Sequence, residues 1–94
     1  KTLKDKVTKV KAKAKKGKID VSWKKYKKAS GYIVYRAESK YGVYDEFAVV
    51  KKNSFKDNYS VKGRKFYYKV RAFKNKGDGK ILSGISKKAS VKAK

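Results

Sequence analysis

Residues 63–72 read Gly-Arg-Lys-Phe-Tyr-Tyr-Lys-Val-Arg-Ala, and the alternation inside them decides the fold. Phe66, Tyr68, Val70 and Ala72 recur at every second position, with Tyr67, Lys69 and Arg71 between them. Successive side chains of an extended chain point to opposite faces, so this spacing turns one row inward and leaves the cations on the other side. A helix would scatter the same residues around its axis. Lys62, Gly63 and Arg64 supply turn chemistry just ahead of the strand.

Working outward, the same period recurs. Val10, Ala12 and Ala14 alternate with Lys11, Lys13 and Lys15; after a turn at Lys16 and Gly17, Ile19, Val21 and Trp23 alternate with Lys18, Asp20 and Ser22. These two runs predict a hairpin. Residues 24–30 break the alternation and load Lys24, Lys25, Lys27 and Lys28 around Tyr26, a solvated loop with its one aromatic tucked inward. Residues 31–37 carry bulky β-formers on both faces, so periodicity alone leaves open which face is core. A loop over 38–44, a strand over 47–51 and a short extended piece with a turn over 53–58 follow. Beyond residue 72 the reading is a loop over 75–80 containing Gly77, Asp78 and Gly79, then Ile81 and Leu82, then a last strand over 85–93. Residues 1–6 read as linker. About seven closely spaced strands with no helical stretch predict an all-β antiparallel sandwich forming a single domain over 1–94.

Composition narrows function. With 94 residues the chain suits one core. Its formal charge is +23, carried by 27 lysines and only three arginines, Arg36, Arg64 and Arg71. Any partner drawn in by charge is anionic. Cys and His are absent, which removes disulfides, thiolate and imidazole metal ligands, cysteine nucleophiles and the usual general base. Asp45 and Glu46 are adjacent and point apart in an extended chain, so they make no carboxylate pair for catalysis. The expectation is no enzyme, with no catalytic, cofactor-binding or metal-ligating residues. The longest apolar run is Phe47–Val50, far below the roughly 20 residues of a membrane helix, so no membrane insertion is expected. Eight Tyr, four Phe and one Trp in alternating runs argue for a folded domain despite the charge.

Val21-Ser22-Trp23, the run Ala29-Ser30-Gly31-Tyr32-Ile33-Val34-Tyr35-Arg36, the segment 63–72 and Ser83-Gly84-Ile85-Ser86 follow one another at a spacing that resembles a fibronectin type III domain. The resemblance covers nearly the whole chain and is closest to the Lys- and Tyr-rich variety found on secreted and surface proteins of Gram-positive bacteria. It implies a seven-stranded immunoglobulin-like sandwich, neighbouring domains of the same parent chain as partners, and an extracellular or wall-associated location. It also implies a buried core of Trp23, Tyr32, Val34, Tyr68 and Val70. The family usually carries Tyr where this chain has Phe66, its hydroxyl bonding backbone at a corner. Phe66→Tyr is therefore expected to stabilise the domain by about 1 kcal/mol.

In that arrangement the strands around residues 31–37 and 65–72 are neighbours, which gathers Ile33, Tyr35, Tyr67, Lys69 and Arg71 on one outer face. Aromatics beside cations suit sugar rings or stacked bases; they equally stabilise a sheet through cross-strand pairs or pack on a neighbouring domain. Lys24, Lys25, Lys27 and Lys28 are candidate contacts for anionic polysaccharide or wall polymer. Lysine is a hydrated point charge, whereas bidentate reading of phosphate and base edges favours Arg, so no sequence-specific nucleic acid is expected. Part of the lysine load also fits edge protection by repulsion. The reading is a non-catalytic extracellular module of a larger bacterial surface or secreted protein, a spacer or adhesion unit whose basic surface holds anionic polymers. The alternatives are a carbohydrate-binding module using the Tyr face and a non-specific nucleic-acid binder.

Overall fold

A computed structural model describes residues 6–27, 29–77 and 79–94. The strands are β1 (Lys11–Lys15), β2 (Lys18–Ser22), β3 (Gly31–Ala37), β4 (Asp45–Val50), β5 (Ser54–Asp57), β6 (Lys65–Lys76), β7 (Gly79–Leu82) and β8 (Ala89–Lys92). They form two antiparallel sheets, one ordered β1-β2-β5 and the other β4-β3-β6, with β7 and β8 both pairing with β6. The expected β1–β2 hairpin is present, with Ala12 opposite Val21, Ala14 opposite Ile19 and Gly17 at φ +80° in the turn. Lys6, read as linker from the sequence, forms a parallel bridge with Gly84.

The inward rows meet as the alternation requires. Ile19, Val21 and Trp23 from the smaller sheet pack against Tyr32, Val34, Phe66, Tyr68, Val70 and Ala72 from the larger one. Trp23 meets the Tyr32 ring edge-on at 5.3 Å, a favoured aromatic geometry. In β4 the register slips so that Val34 faces Ala48 but Tyr35 faces Glu46, leaving Phe47 as an extra residue. Such a bulge re-aims its side chain, and the Phe47 ring lies 5.7 Å from that of Phe55 and 4.6 Å beneath the Arg36 guanidinium.

A charged cluster sits inside this core. Asp57 is fully buried and accepts from Arg36 Nη1 at 3.1 Å, from the Tyr68 hydroxyl at 2.5 Å and from the Tyr59 amide at 2.8 Å. Phe66 lies beside it, wholly buried, with the Arg36 guanidinium 4.3 Å above its ring. The expectation of a missing hydroxyl at Phe66 is corrected accordingly. The inward hydroxyl of β6 belongs to Tyr68 and is bonded to a side chain, and Phe66 is 0% exposed, so an added hydroxyl would have to displace packed neighbours. Phe66→Tyr is now expected to destabilise by about 1–3 kcal/mol, the usual cost of overpacking, read as a lower midpoint in urea.

The C-terminal region departs from the expected single strand over 85–93. The β6 ladder runs from Lys65 to Tyr68 against β8 and from Phe73 to Lys76 against β7. Between them two buried serines take over. The Ser83 amide donates to the Ala72 carbonyl at 2.9 Å while its Oγ accepts from the Ala72 amide at 2.9 Å. Ser86 does the same with Val70, at 2.9 and 2.8 Å. Each hydroxyl then donates to a neighbouring carbonyl, Gly84 or Lys87, both at 2.9 Å. Because the side chain accepts the bond a strand carbonyl would take, the chain can leave regular extended geometry here without orphaning β6. The expected loop over 75–80 is shorter than read, since pairing continues to Lys76 opposite Gly79; Asp78 lies outside the described residues.

Candidate functional site

The β3–β6 register sets Ile33 opposite Arg71, Tyr35 opposite Lys69 and Tyr67 opposite Ala37. With Tyr32, Val34, Tyr68 and Val70 in the core, strand alternation puts Ile33, Tyr35, Tyr67, Lys69 and Arg71 together on the outer face of the larger sheet. Their accessibility is less than the sequence led one to expect. Ile33 and Tyr67 are each only 7% exposed, and Tyr35, Lys69 and Arg71 are half-buried. Alternation determines which side a residue takes, not how much its neighbours cover it.

Lysine ammonium groups stand against several of the rings on and around this face. Lys65 and Lys88 hold their Nζ atoms 5.8 and 5.9 Å from the Tyr67 ring centroid, Lys69 lies 4.4 Å from that of Tyr44, and Lys80 lies 4.5 Å from that of Phe73. Each distance is within reach of a cation–π attraction. Burial, and the proximity of Tyr67, push the Tyr44 phenol above the ordinary tyrosine range. Phe73 lies across Gly31: a Cβ on Gly31 would stand 2.7 Å from the Phe73 ring, so glycine is what lets the ring approach the sheet. The result is an aromatic floor carrying an ammonium layer. Tyr44, Phe73, Lys65, Lys80 and Lys88 were not singled out from the sequence. Lys65 and Phe73 continue the outward row of β6 by two residues at either end, a usable signal; Lys80 and Lys88 come from other segments and leave none.

In the loop after β2, Lys24, Lys25 and Lys27 are exposed; Lys28 lies outside the described residues. The loop is anchored by the Lys24 amide donating to Thr8 O at 3.0 Å and the Tyr26 amide donating to the Tyr32 hydroxyl at 2.8 Å. Among the described residues the ion pairs are Lys15–Asp20 at 2.9 Å, Arg36–Asp57 and Arg64–Glu38 at 3.4 Å. The Lys15 hydrogen bond is the main reason the Asp20 carboxyl is held below its usual range. Lys15 is therefore the one lysine with a carboxylate ion-pair partner among the described residues.

No protein-family model matches the chain. A segment of an amylopullulanase from Thermoanaerobacter thermohydrosulfuricus is 36% identical over 78 residues, covering 82% of this chain and 5% of that protein. Among solved structures, an Fn3-like protein from Clostridium thermocellum superposes with a TM-score of 0.81 at 22% identity, over 95% of this chain and 92% of that one. A beta-1,2-glucanase from Parabacteroides distasonis contains a similar portion, with a TM-score of 0.74 and 26% identity, covering 93% of this chain and 13% of the enzyme. The two-sheet topology, the inward rows of β3 and β6 and these likenesses lead to one conclusion: the chain is a fibronectin type III domain.

Proposed function

We propose that this domain is a non-catalytic module of a larger secreted or wall-attached bacterial protein, acting as a spacer and as an electrostatic holdfast for anionic wall polymer or acidic glycan. A place in a longer chain is supported by the small fraction of the amylopullulanase that the similar segment occupies. The observation carrying the ligand class is the ammonium layer over the outer sheet, where Lys65, Lys69, Lys80 and Lys88 stand on aromatic rings. Rings that hold flexible lysine arms in place reduce the ordering cost when a polymer binds. Arg71 beside them, and Lys24, Lys25 and Lys27 in the loop after β2, extend the contact. The covered state of Ile33 and Tyr67 favours this reading over sugar stacking on the same face. Sequence-specific nucleic acid and membrane insertion form no part of it; neighbouring domains of the parent chain do.

The test is affinity for a heparin-type polysaccharide and for teichoic acid as salt is varied. Binding through several lysines releases counterions, so the logarithm of affinity is expected to fall linearly with the logarithm of salt. Replacing Lys65, Lys69, Lys80 and Lys88 by Gln is expected to flatten that slope by roughly one unit for each lysine that touches the polymer. Affinity indifferent to salt, or a slope unchanged in the fourfold variant, would refute the proposal.

A further inference from the structure

The opposite chemistry is found at one end of the sandwich. A cleft of about 510 Å³ opens between the β3–β4 connection and the segment after β5, lined by Arg36, Glu38, Val43, Asp45, Phe47 and Tyr59 among others. That volume is within the range of small-ligand sites, roughly 300–1,000 Å³. In a chain with only seven acidic residues, two of them face this space. Beside and within it stand the large apolar side chains most open to solvent among the described residues: Tyr41 is 89% exposed, Val43 81% and Tyr59 75%. These side chains are not core, and the Tyr59 ring is braced edge-on against Phe47 at 6.3 Å. The cleft floor is rigid, because Arg36 is tied to buried Asp57 and also donates to the Tyr59 carbonyl at 3.3 Å.

Charge and donor chemistry select the occupant. A field of +23 repels cations, and no group of three or more metal-ligating side chains gathers among the described residues. Of the charged groups lining the cleft, Arg36 is paired with Asp57 while Glu38 and Asp45 present carboxylates, so the lining offers an anion no unpaired cation. Ionised carboxylates only accept hydrogen bonds, so the occupant must donate, and it must also lay an apolar face on a phenol ring and Val43. Hydroxyls around a flat C–H face describe a neutral sugar. Glu38 shares one oxygen with Arg64 at 3.4 Å on the open surface, a contact worth little, while Asp45 makes no ion pair among the described residues. We infer that the cleft between the β3–β4 connection and Tyr59 binds neutral oligosaccharide, with Tyr59 as stacking platform and Asp45 and Glu38 as hydroxyl acceptors. This goes beyond the polyanion reading: it uses other residues, another ligand class and a binding mode that salt does not weaken.

An NMR titration of the 94-residue chain with maltohexaose and with cellohexaose tests it. Saturable shifts at the amides of Glu38, Gly42, Val43, Asp45 and Tyr59 are expected with at least one of the two. They should persist between about 0.01 M and about 1 M salt, over which the screening length shrinks from roughly 30 to 3 Å. Tyr59→Ala is expected to weaken binding about tenfold, as an aromatic anchor does, and Asp45→Asn about fivefold. Both side chains are exposed, so an unchanged amide spectrum away from the cleft certifies the fold of each variant. No saturable shift with either sugar, shifts centred on Tyr35 and Lys69, loss at high salt, or wild-type affinity in both variants would overturn the inference. So would a dimer, formed without sugar, that Tyr59→Ala dissolves.

Discussion

Asp57→Ala is expected to lower stability by about 3–5 kcal/mol, the cost of leaving one partner of a buried ion pair uncompensated. Asp57 is 0% exposed and the Arg36 side chain 10%, so water cannot replace what is lost. The same change orphans the Tyr68 hydroxyl and the Tyr59 amide. Against a typical total of about 5–15 kcal/mol, the variant should be close to unfolding at 37 °C. Urea melts of Asp57→Ala beside the triple change Arg36→Met, Asp57→Leu, Tyr68→Phe separate the penalty of an orphaned charge from the worth of the cluster. The triple change should recover most of the loss, because an apolar replacement of a buried pair is often neutral or better. A loss below about 1 kcal/mol in Asp57→Ala, in the range of an exposed pair, would refute the account. Alkali gives an independent reading. Burial first, then the bond to Asp57, raise the Tyr68 phenol well above the usual tyrosine range. The folded state thus holds this proton more tightly than the unfolded chain. Its contribution is complete below about pH 10, the unfolded value, and is lost as pH climbs toward the higher folded value. The stability difference between wild type and Tyr68→Phe should therefore narrow above about pH 10, which also cancels the effect of lysine deprotonation common to both.

Ser83→Ala with Ser86→Ala is the second large effect. Each serine is the acceptor for a β6 amide, Ala72 or Val70, buried in the middle of the longest strand. A buried donor left without a partner costs about 1–3 kcal/mol, and the double variant should lose roughly twice that, less any coupling between two sites so close together. Hydrogen exchange localises the loss: the amides of Val70 and Ala72 should lose protection in the double variant, and Ala72 alone in Ser83→Ala. A double variant that melts within about 0.5 kcal/mol of wild type, the range of an ordinary surface change, would show that the serines are dispensable.

Much of the architecture was legible in the alternation. The inward row of β6 and the β1–β2 hairpin followed from period two, because a half-buried strand must segregate its side chains, and the family resemblance added the burial of Trp23 between the sheets. Asp57 was not legible. It stands in Asn53-Ser54-Phe55-Lys56-Asp57-Asn58, which reads as a turn, and its burial depends on Arg36 and Tyr68, 21 and 11 residues away. The two serines likewise read as the approach to a final strand; their capture of β6 amides is a tertiary fact with no local pattern. The outer face was placed correctly and its openness was not, since the arms that cover Tyr67 come partly from Lys88, which shares no period with β6. Tyr41 and Tyr59 sit in irregular segments, where no alternation marks a side chain as in or out.

The abundance of lysine has a further consequence for survival among proteases. With 30 basic residues in 94, a trypsin-like enzyme meets a cleavable bond in every strand but β4 and in most connections. Bonds within β1 and β6 are held in ladders and become cleavable only when a segment opens, so their lifetime follows the local opening free energy. The connections bearing Lys24, Lys25 and Lys27, and Lys51 and Lys52, lie outside those ladders and would be cut first. In a proteolytic environment, the persistence of this domain is thus set by how seldom its strands breathe.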